Sequence, residues 1–484
     1  MLSKQNNTSY TMSVDLLIKA ISGQNPHSPS LYDHAKDYFK NAEKNATKLK
    51  LISDQIDKLY NRSEYFVKAN AKNHSLQIEK LKNDLNQERI RQQACRLDRL
   101  NKAITICMHI LSLSEGDNYE QTQYKSGKFL TTIALFSPGE GKQLAEIHQT
   151  LKPAYKTVLS LRMLDKLMLD GTIQNPYILK EYDVKQRYVP EAANHICYTQ
   201  AVLMPIMLAA IFQDIGFQHP KLATILAGEE DDKDRFRLLN KDERQQMLDM
   251  NYQYTIDYLK HGLGCQLSPI AEKQQASAFS EAEQERLDFQ ISLVEGANFS
   301  KLGTSEIIKI PQKYSSVIFS TKENFSKKSW TNASILVAQL AVKKQISSQL
   351  AKVFVSIVGQ FPLGYGIVYI PNDVFGNEIE QYEYAIVTEL NPKQSEQPIC
   401  LPVSKNLVFT EFCINEEIEK DRNMHFHKAR KKLENRSQKP VSEISQKLEH
   451  AFIPEHIDEP PPFYWEPHKY FCVLGNQNLW NIKA

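Results

Sequence analysis

The feature that most constrains this 484-residue chain is its longest apolar run, AVLMPIMLAAIF, at positions 201–212. The run is followed directly by QDIGFQHP, in which an acid and a glycine mark the end of the apolar stretch. It contains Pro205 and is well short of the roughly 20 apolar residues that cross a bilayer. We therefore predict a buried helix of a soluble protein with no membrane span, closed by a turn that contains Asp214.

The amino-acid composition argues against several classes of protein. Hydrophobic residues make up 42% and charged residues 24%, and the net charge of +2 gives no reason to expect a nucleic-acid partner. The seven cysteines stand singly and form no CxxC pair, which argues against a zinc ribbon and against a disulfide framework. The polar start, MLSKQNNTSY, has no apolar signal-peptide core. These features favour a cytoplasmic protein.

Hydrophobic periodicity predicts a mainly α protein with a small β element near the C-terminus. The pattern divides the chain into six regions, which are a polar N-terminal segment (1–30), a helical hairpin or coiled-coil region (31–115), a helical connecting region (116–185), a helical domain (186–362), a small β subdomain (363–412), and a charged helix with a Pro/aromatic-rich tail (413–484). Whether 116–185 forms its own domain stays open.

The first helical region has a spacing typical of helices that pack along one face. Leu49, Ile52, Ile56 and Leu59 are spaced 3-4-3, and charged residues fill the gaps. A second short run of the same kind lies near position 80. The pattern is compatible with an antiparallel hairpin, with a coil that forms a homodimer, and with a plain bundle packed on its own chain. We expect these helices, or the aromatic C-terminal tail, to contact protein partners, although the tail could equally pack on its own domain.

Four segments occur in the order AAIFQDIGF, LLNKDER, EIIKIPQKYSSVI and FPLGYGIVYIP. Together they resemble the HD-GYP family, bacterial phosphohydrolases that cleave cyclic di-GMP. The family's apolar helix ending in HDIGK corresponds to AAIFQDIGF, and its LTPEE helix start corresponds to LLNKDER. Its VAD-containing helix corresponds to EIIKIPQKYSSVI, and its YPVGS turn into small strands corresponds to FPLGYGIVYIP. Together these segments cover about 190 to 405. The resemblance implies an HD-like helical bundle for residues 186–362.

The family's metal ligands are mostly absent when they are carried over position by position. The first histidine of the HD pair falls on Gln213, and only Asp214 is kept. The histidine after the LTPEE start falls on Met250 or Asn251, and the aspartate of VAD falls on Gln312. The lysine after the family's glycine falls on position 217, a phenylalanine, and the HHE and GYP segments have no counterpart. Asp214 is therefore interpreted as a vestigial metal position, with no catalytic residue and no cofactor predicted.

Other residues could in principle rebuild a metal site. His219 lies five residues after Asp214, His195 precedes it, and His261 shares a helix face with Asp257. The simpler interpretation places His219 in a loop before Pro220 and His261 at an exposed helix end.

The residues and the resemblance leave two functions to compare. The first is a catalytically inactive HD-GYP-like signalling or scaffold protein that acts through protein contacts, with or without binding cyclic di-GMP. The alternative is an atypical metal-dependent phosphohydrolase that uses substitute ligands around Asp214.

Overall fold

In the computed structural model the apolar run forms a buried helix, as its composition predicts. A π-helical turn, Thr199–Leu203, leads directly into the helix Met204–Phe212, and every residue of that helix is buried. Pro205 lies where the π-helical turn passes into the α-helix, and because proline has no backbone N–H, the regular helical hydrogen-bond ladder is interrupted at this point. Among the residues that the structure describes, no helix is long and apolar enough to cross a membrane.

The structure describes residues 8–23, 28–63, 71–141, 143–180, 187–188, 198–228, 234–237, 239–269, 272–299, 302–322, 324–410, 414–436, 462–477 and 479. Its helices are α1 (Ser9–Ile21), α2 (Leu31–Ser63), α3 (Ala71–Ser114), α4 (Tyr119–Phe136), α5 (Leu144–Leu169), α6 (Pro176–Lys180), α7 (Met204–Phe212), α8 (Pro220–Ala227), α9 (Lys241–Asp257), α10 (Lys273–Asn298), α11 (Glu306–Ile318), α12 (Asn332–Val342), α13 (Ser348–Val358), α14 (His427–Arg436) and α15 (Pro467–Phe471). Further turns of π-helix (Tyr258–Leu263) and 3₁₀-helix (Ile215–Gln218, Lys327–Thr331, Leu474–Gln477) extend or join them. The prediction of a mainly α protein is confirmed.

Helix α5 lies at the centre of the molecule. Nearly all of its residues from Pro153 to Met168 are buried, and it packs against α7 and α11 as well as α1, α4 and α13. A helix that is buried on all sides has no polar face, so its amphipathic pattern is weak. The segment predicted as a connecting region thus supplies the helix around which the others are arranged, and one continuous apolar core runs from Val14 to Leu479.

Helices α2 and α3 form an antiparallel hairpin, one of the arrangements that the sequence left open. Contacts pair the start of α2 with the end of α3, as between His34 and Lys102, and the middle of α2 with the middle of α3, as between Lys48 and Glu88. Tyr32 on α2 donates a hydrogen bond to the carbonyl of Ile211, and this contact ties the hairpin to the end of α7.

The small β element that the sequence predicts is present, and its strands pair antiparallel. Its strands are β1 (Gly366–Tyr369), β2 (Glu383–Val387), β3 (Ile399–Pro402), β4 (Ser404–Lys405), β5 (Val408–Phe409) and β6 (Glu416–Glu417). A four-stranded sheet has the order β1-β2-β3-β6, and β4 pairs with β5 in a hairpin. Because β6 lies beyond residue 412, the sheet extends past the boundary that composition suggested. The charged segment 416–434 is helical only from His427 onward.

The C-terminal aromatic segment packs on the sheet and on α4. The indole Nε1 of Trp465 donates to the carbonyl of Ala385 at 2.9 Å, and Phe471 is fully buried. A Cβ at Gly366 would stand 2.1 Å from the carbonyl oxygen of Trp465, so only glycine admits this approach. Of the two roles that the sequence left open for this segment, the structure shows packing on its own chain.

Candidate functional site

Asp214 lies in the turn between α7 and α8, and a close backbone approach fixes that turn. A Cβ at Gly216 would stand 2.2 Å from the carbonyl oxygen of Asn251 on α9. The Gly216 N–H donates to the Thr255 hydroxyl at 3.1 Å. The Asp-Ile-Gly sequence is therefore explained in part by packing, because a larger residue than glycine would push the turn away from α9.

The Asp214 carboxylate is held by side chains from two different helices. Lys156 on α5 donates from Nζ to Oδ2 at 3.0 Å, and Gln312 on α11 donates from Nε2 to the same oxygen at 2.6 Å. The Lys156 side chain is 2% exposed, whereas that of Asp214 is 31% exposed. The arrangement is a partly buried ion pair, with an amide as the second donor.

The pKa of Asp214 reflects these contacts. Burial alone would raise the pKa, but the charges of Lys156 and Lys152 and the hydrogen bonds from Lys156 and Gln312 outweigh it and lower the pKa to about 2. The carboxylate therefore stays charged across the physiological range and keeps the ion pair intact.

Lys152 lies one helical turn before Lys156, on the same side of α5. Burial lowers the pKa of Lys152 to about 8, opposed by the charge of Asp214 and reinforced by the charges of Lys156 and Lys313. Burial also lowers the pKa of Lys156. The charges of Lys156 and Lys152 thus both act on the Asp214 carboxylate, and the local charge is positive.

Of the residues that the resemblance places at metal-ligand positions, the structure brings only some together. Gln312 contacts Asp214 directly. Gln213 ends α7, and its Oε1 is buried without a hydrogen-bond partner among the described residues, as is Oε1 of Gln312. Asn251 is buried on α9 and faces the turn through its backbone carbonyl, next to Met250.

The histidines considered as substitute ligands lie elsewhere. The ring of His219 stacks on Tyr254 with centroids 3.6 Å apart, and its Nδ1 accepts from the backbone N–H of Lys221 at the start of α8. His261 is exposed in the π-helical turn after α9 and borders a groove with Asp257. His195 lies outside the described residues. Within the part of the chain that the structure describes, no group of three or more His, Cys, Asp or Glu side chains could hold a metal ion.

The charged segment near the C-terminus, in which His425 and His427 alternate, predicts surface positions for both histidines. His427 is exposed, but His425 is half-buried against Phe361 and Phe426. The expectation for His425 was wrong because the segment before α14 is folded onto the core instead of forming an exposed helix.

Sequence reasoning missed Lys152 and Lys156. The available signal was their spacing: two lysines four residues apart interrupt the segment TLKPAYKTVLSL, which is otherwise suited to burial. A lysine on a fully buried helix requires a partner, because an unpaired buried charge is costly. The identity of the partner carboxylate depends on how the helices pack, and the local sequence does not show how they pack.

No family model, curated protein or solved structure matches this chain.

Proposed function

We propose that this protein is a catalytically inactive HD-GYP-like signalling or scaffold protein that acts through protein contacts. The observation that carries the proposal is the ion pair between Lys156 and Asp214, completed by Gln312. The one acid kept from the family's ligand set is occupied by an ammonium group and an amide.

The position of Gln312 supports the resemblance on which the proposal rests. Asp214 and Gln312 are 98 residues apart, and the resemblance alone places both at metal-ligand positions. Their side chains are in hydrogen-bond contact at 2.6 Å. A chance likeness of two short segments would give no reason for these two residues to meet.

Electrostatics argue against a divalent cation on Asp214 while Lys156 is charged. Lys156 Nζ lies 3.0 Å from Oδ2. Metal–oxygen bonds of about 2.1 Å would place an ion bound to that oxygen within about 5 Å of Nζ. At an effective dielectric constant of about 20, the repulsion between a double and a single charge at this distance is about 7 kcal/mol. An ion could bind there only if Lys156 moved or lost its proton.

The helical hairpin of α2 and α3 offers the surface for protein contacts. Its two helices expose large apolar side chains, namely Leu51, Leu76 and Ile90, each more than half exposed. An open groove of about 840 Å³ runs between this hairpin and the end of α9. The groove is a concave surface that a protein partner could contact.

A hydrolysis assay separates the proposed function from the alternative. The full-length protein, incubated with cyclic di-GMP and with added manganese or iron(II), is expected to release no linear product. A parallel titration measures whether the intact dinucleotide binds. Metal-dependent hydrolysis that is abolished in Asp214→Asn would contradict the proposal and establish the atypical phosphohydrolase instead.

A further inference from the structure

Two neighbouring apolar side chains project from the loop 371–381, which connects β1 and β2. Val374 is 94% exposed and Phe375 is 87% exposed, more than any other large apolar side chain among the described residues. A single exposed apolar residue is ordinary, but two adjacent ones at a loop tip form a projecting apolar surface. Such a surface is stabilised when another apolar surface covers it.

The loop 371–381 is held in one conformation by its own hydrogen bonds. The Asp373 carboxylate accepts from the backbone N–H groups of Phe375 and Asn377 at 2.9 and 2.8 Å. Nearer the base of the loop, the N–H of Ile379 donates to the carbonyl of Pro371 at 2.8 Å. The tip is therefore presented on a preorganised turn, so little conformational entropy is lost when it docks.

The charges of the loop 371–381 are all negative. It contains Asp373, Glu378 and Glu380 and has no lysine or arginine. Glu378 forms an ion pair with Lys432, whereas Glu380 is exposed. Acids beside the tip disfavour an anionic membrane surface as its partner. They favour a protein surface that combines an apolar groove with cations.

A groove with these complementary properties lies on the same chain, between α12, α13 and the loop that joins β2 to β3. This α12–α13 groove has a volume of about 470 Å³, which is within the roughly 300–1,000 Å³ typical of binding pockets. Its apolar wall includes Val342, which is 82% exposed. Lys352 and Lys393 also line it, and none of its described lining residues is acidic. Lys393 pairs with Glu417 at 3.3 Å but is largely exposed.

We propose that the tip of one copy, Val374 and Phe375, docks into the α12–α13 groove of a second copy, with the acids of the loop facing the lysines of the groove. The exposure of the tip shows that it does not occupy the groove of its own chain. Because two different surfaces meet, the contact is head-to-tail unless two copies exchange loops reciprocally. One loop in one groove buries little area, so the self-association is weak and depends on concentration.

Sedimentation velocity of the full-length protein at increasing concentration tests the inference. The wild type is expected to self-associate. Phe375→Ser and Val342→Asp should each weaken the association about tenfold or more, because each removes apolar burial from one side of the same contact. Leu51→Ser, which changes a side chain of α2 that is more than half exposed, is the matched control and should associate like the wild type. Circular dichroism checks that each variant is folded.

Mixing the two variants distinguishes a loop in a groove from pairing through any single surface. Phe375→Ser keeps an intact groove and Val342→Asp keeps an intact loop, so their equimolar mixture should associate more strongly than either variant alone. A monomeric wild type, association that is lost only in Leu51→Ser, or a mixture no stronger than its components would overturn the inference. Binding of the wild type but not of Phe375→Ser to zwitterionic lipid vesicles, without self-association, would also overturn it and assign the tip to a membrane surface.

Discussion

At the scale of single residues, the ion pair of Lys156 and Asp214 makes a specific prediction about stability. Asp214→Asn leaves the ammonium of Lys156, which is 2% exposed, without a countercharge. We expect a loss of about 2–3 kcal/mol in the free energy of unfolding, which is less than the roughly 3–5 kcal/mol for a fully buried pair because Asp214 is partly exposed. Denaturant unfolding measures it.

A double-mutant cycle shows whether the loss comes from the pair. The combined variant Asp214→Asn/Lys156→Met should recover most of the stability, since no unpaired charge remains. Glu285→Gln, which removes the partner of Lys180 in an exposed ion pair, is the control and should leave stability unchanged. Additive effects of the two substitutions at the site would contradict a direct ion pair.

Substitution of Gly216 tests how closely the turn that contains Asp214 packs against α9. Gly216→Ala places a Cβ 2.2 Å from the Asn251 carbonyl oxygen, and we expect a loss of about 2–3 kcal/mol because backbone has to move. Gly171→Ala is the comparison: its φ is +62° with open space around it, so it should cost only about 1 kcal/mol from the left-handed backbone. Equal losses in thermal or denaturant unfolding would show that the turn is not closely packed.

Residue patterns predicted the turn at Asp214, but they did not predict that Lys156 and Lys152 lie near its carboxylate. The reason is physical. Local sequence shows that Gln213 and Gln312 are poor metal ligands, whereas the approach of Lys156 to Asp214 depends on how α5, α7 and α11 pack together.

At the scale of elements, the C-terminal segment is anchored by a buried ion pair. Lys327 Nζ lies 2.8 Å from Glu466 Oε1, and the Lys327 side chain is 1% exposed. Glu466→Gln is expected to lower the free energy of unfolding by about 2–3 kcal/mol and to raise hydrogen exchange in residues 462–477.

A matched substitution identifies the cause of that effect. Glu396→Gln removes the partner of Lys420 in a solvent-exposed pair and should change neither stability nor exchange. Unchanged exchange in the 462–477 segment of Glu466→Gln would mean that the aromatic contacts alone hold it in place.

The elements themselves were predictable to different degrees. The short strands after Gly366 follow β-type runs, and the 3-4-3 spacing near Ile56 indicates helix α2. The central place of α5 was not predictable, because a helix buried on all sides lacks the periodic pattern that marks one buried face. The packing of the aromatic segment around Trp465 depends on long-range contacts that no local pattern encodes.

At the scale of the whole molecule, buried His148 predicts a loss of stability in acid. Its Nδ1 lies 2.6 Å from the Ser320 carbonyl and its Nε2 lies 2.6 Å from the Ser137 hydroxyl. Burial, with a smaller contribution from Lys327, lowers its pKa to about 4 from 6.5, although the bond to Ser320 opposes the shift. The unfolded chain therefore takes up the proton first, and stability falls as the pH decreases from about 6.5 to about 4.

The measurement is the free energy of unfolding as a function of pH. His148→Gln should show a flatter decline in this window, by up to one proton or about 1.4 kcal/mol per pH unit. His427→Gln, which changes an exposed histidine, should keep the wild-type slope. Identical slopes in wild type and His148→Gln would contradict a buried neutral imidazole.

The overall class of the molecule was predictable and its internal organisation was not. Periodicity predicted a mainly helical chain with a small sheet, and the structure confirms this. Composition shifts predicted six regions; the main apolar core includes residues from the first helix to the last described turn, and a smaller cluster contains Val368 and Met424. Boundaries drawn from composition follow changes in local pattern, and core packing joins segments across them.

The most direct test of a metal-free Asp214 is the metal content of the full-length protein, purified without chelators and then incubated with manganese or iron(II) before desalting. Because Lys156 and Gln312 occupy the carboxylate, elemental analysis is expected to find bound metal far below one ion per chain. Stoichiometric metal in the wild type that disappears in Asp214→Asn would contradict the proposal that this site has lost its metal chemistry.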